Sequence, residues 1–159
     1  MSIEIEYLAD HPKFVPQIAR WYFDEWGYKI SENSVERIAE RLYAKLNREQ
    51  APIPIVAIAN RKLIGTAQLK IREMEIYPDR EFWLGGVYVD FTARRRGVAK
   101  LLVQRIEQIA KQLKIRELFL QTEKLTGGLY AELGWLPIEQ IDYHGVQVLI
   151  MHQEWRAQE

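Results

Sequence analysis

The chain has no cysteine in 159 residues, which excludes disulfides, thiolate metal sites and a cysteine nucleophile together. Histidine is scarce as well. His11, His144 and His152 show no spacing of the His-x-x-x-His kind, so no metal site is expected. Neither sign of charge is in excess: 22 Lys and Arg balance 22 Asp and Glu, and a dedicated nucleic-acid binder would carry a basic surplus. No apolar run approaches the roughly 20 residues of a membrane-spanning helix, so no membrane partner is expected. The opening MSIEIEYLAD is too acidic and polar for a secretory signal, and a cytoplasmic protein is the default expectation. Repeats, low-complexity segments and flexible linkers are missing too.

What is present is an ordinary globular mixture. With 48% hydrophobic and 28% charged residues, a chain of this length can bury a real core, and the size prior gives one domain over residues 1–159. Ile3, Ile5 and Tyr7 alternate with Glu4 and Glu6, which predicts a half-buried first strand. Asp10-His11-Pro12 starts a helix that carries Val15, Ile18, Ala19, Tyr22 and Trp26 on one face and ends at Gly27. Ser31 or Ser34 caps a second helix with the stripe Val35, Ile38, Ala39, Leu42 and Leu46, and Pro52 and Pro54 close the helical part. Residues 55–59 (IVAIA) predict a buried strand, turned at Asn60-Arg61-Lys62 into an antiparallel partner over 63–71. A loop over 74–80 leads to a central strand.

Beyond it the sequence predicts a long helix, a strand over 115–122, a short helix over 125–133 and two strands over 135–142 and 146–154 about His144-Gly145. The order of elements gives an α/β domain with a mixed, mostly antiparallel sheet flanked by helices.

Residues 83–102, WLGGVYVDFTARRRGVAKLL, hold the most specific pattern. Trp83, Leu84, Val87, Tyr88 and Val89 make a strand, which Gly85-Gly86 interrupts as a bulge would. The strand passes into a cationic turn, and from Val98 onward apolar residues recur at helical spacing. The first turn of a helix offers unpaired N–H groups and a partial positive charge, so with Arg94, Arg95 and Arg96 beside it this turn suits a phosphate or pyrophosphate. Gly97 removes a side chain where the anion must approach, and Ala99 keeps the same face small. No Gly-Lys-Ser/Thr run and no three-glycine dinucleotide fingerprint is present.

The pattern that remains, Arg94-x-x-Gly97-x-Ala99 after a Val-x-Val strand, resembles the acetyl-coenzyme A signature of the GNAT superfamily of N-acetyltransferases. Residues 128–135, GLYAELGW, are similar to a second element of that family, and the order of elements resembles its fold over nearly the whole chain. The resemblance implies a V-shaped cofactor cleft between the central strand and the strand after the long helix. It implies acetyl-CoA as co-substrate, with the backbone of Val87, Tyr88 and Val89 pairing with the pantetheine arm. The N–H groups of Arg95, Arg96, Gly97, Val98, Ala99 and Lys100 would cradle the pyrophosphate, with Arg94 at the leading position of the motif. Tyr130 becomes the candidate acid for the departing thiolate.

A base is harder to place, because the family's strand glutamate is replaced here by Gly85, Gly86 and Gln121. Two candidates stand: Glu123, which shares a face with Gln121 if the strand extends that far, and Glu81 at the mouth of the central strand. On the acceptor side the first helix would bring Trp21, Tyr22, Asp24, Glu25, Trp26 and Tyr28 toward the cleft, where carboxylates beside aromatics suit a cationic amine. The resulting reading is an N-acetyltransferase acting by direct attack of a primary amine, of a small molecule or of a peptide. Protein N-terminal or lysine acetylation, and a non-catalytic acyl-CoA sensor, are the alternatives. A homodimer is left open.

Overall fold

The computed structural model describes residues 2–156. Its strands are β1 (Glu4–Tyr7), β2 (Ile53–Ala59), β3 (Lys62–Ile71), β4 (Phe82–Val89), β5 (Glu117–Thr122), β6 (Leu136–Tyr143) and β7 (Val146–Glu154). They form one sheet in the order β1-β2-β3-β4-β5-β7-β6, in which every pairing is antiparallel except β4 with β5. The helices are α1 (Val15–Glu25), α2 (Val35–Tyr43), α3 (Val98–Gln112) and α4 (Gly128–Glu132).

All seven residues of β2 are buried, because the strand is covered on both faces. Ile53, Ile55 and Ala57 join the cluster under α3, where Val98, Leu102, Val103 and Ile106 pack. Val56 and Ile58 join the cluster under α1 and α2, built on Val15, Ile18, Ile38 and Leu42. The turn from β2 to β3 puts both Asn60 (φ 53°) and Arg61 (φ 65°) in the left-handed region, as a two-residue hairpin of the type I′ form requires.

Ser34 is the cap of α2: its Oγ accepts from Arg37 N at 3.1 Å. Ser34→Ala is expected to destabilise the protein by about 1 kcal/mol, read as a lower urea midpoint at unchanged slope.

Three expectations about element limits are corrected. α2 stops at Tyr43, so Leu46 packs on the core from the following loop rather than from the helix. Pro54 lies inside β2, at a position that β1 does not reach because their pairing ends at Tyr7↔Ile55; a residue without an N–H is tolerated there. The short helix after β5 begins only at Gly128, behind a left-handed Gly127 at φ 87°.

Two features position the site. β4 and β5 meet in register only at Trp83↔Phe119 and separate beyond it, which opens a V toward the C-terminal end of β4. The loop between β3 and β4 then crosses the sheet as a strap. Its Met74 is fully buried with Trp83, Phe119, Val148 and Ile150. Its Tyr77 donates to Glu139, and Tyr143 of the β6–β7 hairpin donates to Glu75 at 2.6 Å.

Candidate active site

The anion-type turn forms as the sequence predicts. Arg95 (φ 66°) and Gly97 (φ 77°) are both left-handed, and Gly97 is the N-cap of α3. That conformation turns the amides of the first turn of α3 outward, where helix geometry leaves them without partners. A Cβ built on Gly97 would meet nothing within 4 Å, so this position looks into open space.

The open space is a cleft of about 540 Å³, lined by Val87, Tyr88 and Val89, by Arg94, Arg95 and Gly97 to Lys100, by Leu129 of α4, and by Glu25 and Trp26 at the end of α1. Arg96 is exposed on the same turn. The Arg94 side chain folds back, its Nε donating to Val89 O at 3.0 Å and its guanidinium lying 5.5 Å from the Tyr88 ring. On one side β4 pairs with β3 at Tyr88↔Thr66 and Val89↔Gly65, whereas on the β5 side its register ends at Trp83. The backbone of residues 87–89 therefore presents a free strand edge to the cleft.

Tyr130 is half-buried, with its ring 6.3 Å from that of Trp135. Burial, with a smaller contribution from the charge of Glu73, pushes its hydroxyl pKa up to about 12, so it is a fully protonated donor near neutrality.

Gly85 and Gly86 do form a bulge. The register with β3 shifts between Thr66 and Gln68, and Gly86 takes φ 60°. The bulge turns two consecutive positions to one face, and both are occupied by other residues' polar atoms. A Cβ on Gly86 would come within 2.6 Å of Tyr22 Oη, and one on Gly85 within 2.8 Å of Glu73 Oε1. Tyr22 donates its one proton to Gly86 O at 2.7 Å and so can only accept from Gln68 Nε2 at 3.1 Å, which fixes the Gln68 amide. Lys70 Nζ donates to Glu73 Oε1 at 3.0 Å. Burial opposes the Lys70 charge, but the Glu73 carboxylate outweighs it together with Tyr22, and the Lys70 pKa ends above its ordinary value. Gln68 Oε1 and Glu73 Oε2 are buried and unpartnered.

Sequence reasoning missed Glu73 and Lys70, which sit on no recognisable motif. The available signal was the glycine pair: glycines inside a central strand mark space that another group needs.

The two expected carboxylates lie elsewhere. Glu81 precedes the Trp83↔Phe119 junction, at the closed end of the V, where it is exposed beside Arg72 at 3.6 Å. That is about 20 Å of strand from Val87. β5 ends at Thr122, so Glu123 does not continue the strand face; it is an exposed bend residue. Of the α1 group, Glu25 and Trp26 line the cleft, Tyr22 reaches Gly86, and Trp21 packs on Tyr88 with ring centres 4.9 Å apart. Asp24 pairs with Arg20 at 3.7 Å in solvent and Tyr28 is 57% exposed.

A splayed β4–β5 pair with an anion-type turn at its open end defines a protein that holds a long phosphorylated thioester along a strand edge. The family model described as the acetyltransferase (GNAT) family matches residues 15–135, and the chain belongs to that family. Acetyl-CoA is accordingly the co-substrate. No curated protein matches the sequence.

Solved structures share the fold at low identity. Aminoglycoside 6'-acetyltransferase type Ii is 18% identical with a TM-score of 0.72, covering 97% of both chains. The PaiA N-acetyltransferase from Thermoplasma acidophilum, in complex with coenzyme A, is 24% identical with a TM-score of 0.68, covering 98% of this chain and 100% of that one. Ribosomal-protein-alanine N-acetyltransferase from Brucella melitensis is 19% identical with a TM-score of 0.74, covering 98% and 100%.

Proposed function

We propose that this protein transfers the acetyl group of acetyl-CoA to a primary amine of a small molecule, by direct attack and without a covalent enzyme intermediate. One observation carries the reading: the free edge of residues 87–89 runs from the turn at 94–100 to the polar cluster over Gly85 and Gly86. The backbone of Val87, Tyr88 and Val89 holds the amides of the pantetheine arm as an added strand. The N–H groups from Arg95 to Lys100, at the N-terminus of α3, hold the pyrophosphate. Arg94 stabilises the turn through Val89 O.

Tyr130 meets the sulfur as it departs. With its pKa up to about 12, against roughly 8.5 for an ordinary thiol, outright proton loss to the thiolate is uphill by about 5 kcal/mol. Its role is to hydrogen-bond the developing negative charge and to pass on a proton that arrives from the amine. Tyr130→Phe is expected to lower kcat about a hundredfold with acetyl-CoA affinity unchanged. An unaltered rate would remove Tyr130 from the reaction.

The strap supports a compact acceptor. It is tied to the β6–β7 hairpin through Tyr77–Glu139 and Tyr143–Glu75, which covers the side on which an extended polypeptide would lie. The test is release of free coenzyme A from acetyl-CoA across polyamines, aminoglycosides, amino acids and short peptides, with calorimetric acetyl-CoA binding alongside. Turnover on a small amine supports the reading and names the acceptor. Turnover only on peptides moves the assignment to protein acetylation, binding without turnover on any amine favours a sensor, and no binding overturns the cleft assignment.

A further inference from the structure

We propose that Glu73, delivered by the strap into the space that Gly85 leaves empty, takes the proton from the attacking amine, with the Gln68 carbonyl receiving a second N–H. The inference rests on the acetyltransferase reading and supplies the base that its strands lack.

Glu73 is held in place without being used up. Oε1 is engaged by Lys70 at 3.0 Å, and Oε2 is buried with no partner. Gln68, only 3% exposed, has its Nε2 committed to Tyr22 and its Oε1 likewise unpartnered. A buried acceptor without a donor is costly, and native proteins retain one chiefly where a ligand or water completes it. Here two such acceptors belong to neighbouring side chains of one face, above consecutive glycines of the strand whose edge borders the cleft. The complementary group is a compact donor with several N–H bonds and a positive charge. A primary ammonium has three.

The neighbouring groups do not compete for the task. Tyr22 has given its proton to Gly86 O, and burial raises its pKa. Lys70 stays charged through Glu73. Glu81 and Glu123 are exposed and off the cleft. Tyr130 feels the charge of Glu73, which puts the carboxylate and the sulfur-side donor on opposite sides of one reacting centre.

The protons balance. Glu73 Oε2 takes one proton from the ammonium, and the freed lone pair forms the C–N bond at the thioester carbonyl. Collapse of the tetrahedral adduct breaks the C–S bond. The second amine proton follows the sulfur by way of the Tyr130 hydroxyl, and Glu73 gives its proton to water. Of the three ammonium hydrogens, one stays on the amide, one ends on the coenzyme A thiol and one is released.

Glu73→Gln keeps the shape and the Lys70 contact but cannot accept a proton. With an alkylamine acceptor at pH 7, kcat is expected to fall about 10²- to 10⁴-fold while calorimetric acetyl-CoA affinity is unchanged. The deficit should shrink as pH rises toward the amine pKa of roughly 10.4, where the acceptor deprotonates unaided. It should also largely vanish with hydroxylamine, whose nitrogen is already neutral at pH 7. Glu73→Asp, with the charge kept and the reach shortened, should lie between. Wild-type turnover of either amine tests the acetyltransferase reading alone; the wild-type to variant ratio on the two amines tests Glu73. An equal loss on alkylamine and hydroxylamine, or no loss on the alkylamine, overturns the proposal.

Discussion

Gly97→Glu is expected to weaken acetyl-CoA binding at least a hundredfold, measured by calorimetry. The position is the N-cap of α3 and its missing Cβ points into the open cleft, so a new side chain grows toward the phosphates rather than into protein. Two unit charges about 5 Å apart at an effective dielectric near 20 repel by about 3 kcal/mol, or roughly a factor of 200 in affinity, before the second phosphate is counted. The left-handed φ of 77° adds strain of about 1–2 kcal/mol for any side chain. Gly97→Ala separates the two contributions: it carries the strain without the charge, so it should lose stability while keeping most of the affinity. Unchanged binding by the glutamate variant would remove the turn at 94–100 from the cofactor site.

Trp83→Ala should be the most damaging single truncation for stability, by about 3–5 kcal/mol. Trp83 is fully buried, forms the only register pair between β4 and β5, and packs on Phe119 with ring centres 5.6 Å apart. Its indole N–H also donates to Arg80 O at 2.7 Å, which ties the end of the strap to the sheet. Since a domain of this size is stable by only about 5–15 kcal/mol, the loss is a large share of the whole. Urea denaturation followed by circular dichroism measures it. A change below about 1 kcal/mol would mean that the junction of the V is held by something other than this side chain.

The parts of the site that were legible in the sequence are those whose chemistry is local. A strand, a cationic turn with Gly97 and a helix stripe from Val98 are contiguous, and their geometry follows from backbone conformations that only neighbouring residues need to satisfy. The bulge at Gly85-Gly86 was legible for the same reason, although its use was not. Glu81 and Glu123 drew attention because they flank strands in the sequence. Their places are decided by where β4 and β5 join and where β5 ends, and strand pairing is a property of two segments 35 residues apart in the register Trp83↔Phe119.

The sequence by itself determined the fold class, the family and the phosphate turn, because hydrophobic periodicity, left-handed glycine and helix termini act over a few residues. Only the tertiary structure decided which carboxylate faces the cleft. Glu73 stands 12 positions before Gly85, on a loop without periodicity, and it comes to lie over that glycine because Met74 beside it is buried against Trp83 and Ile150 and Lys70 fixes its carboxylate. Those contacts join segments remote in the chain, and side-chain packing across a sheet leaves no short-range signature in any one of them.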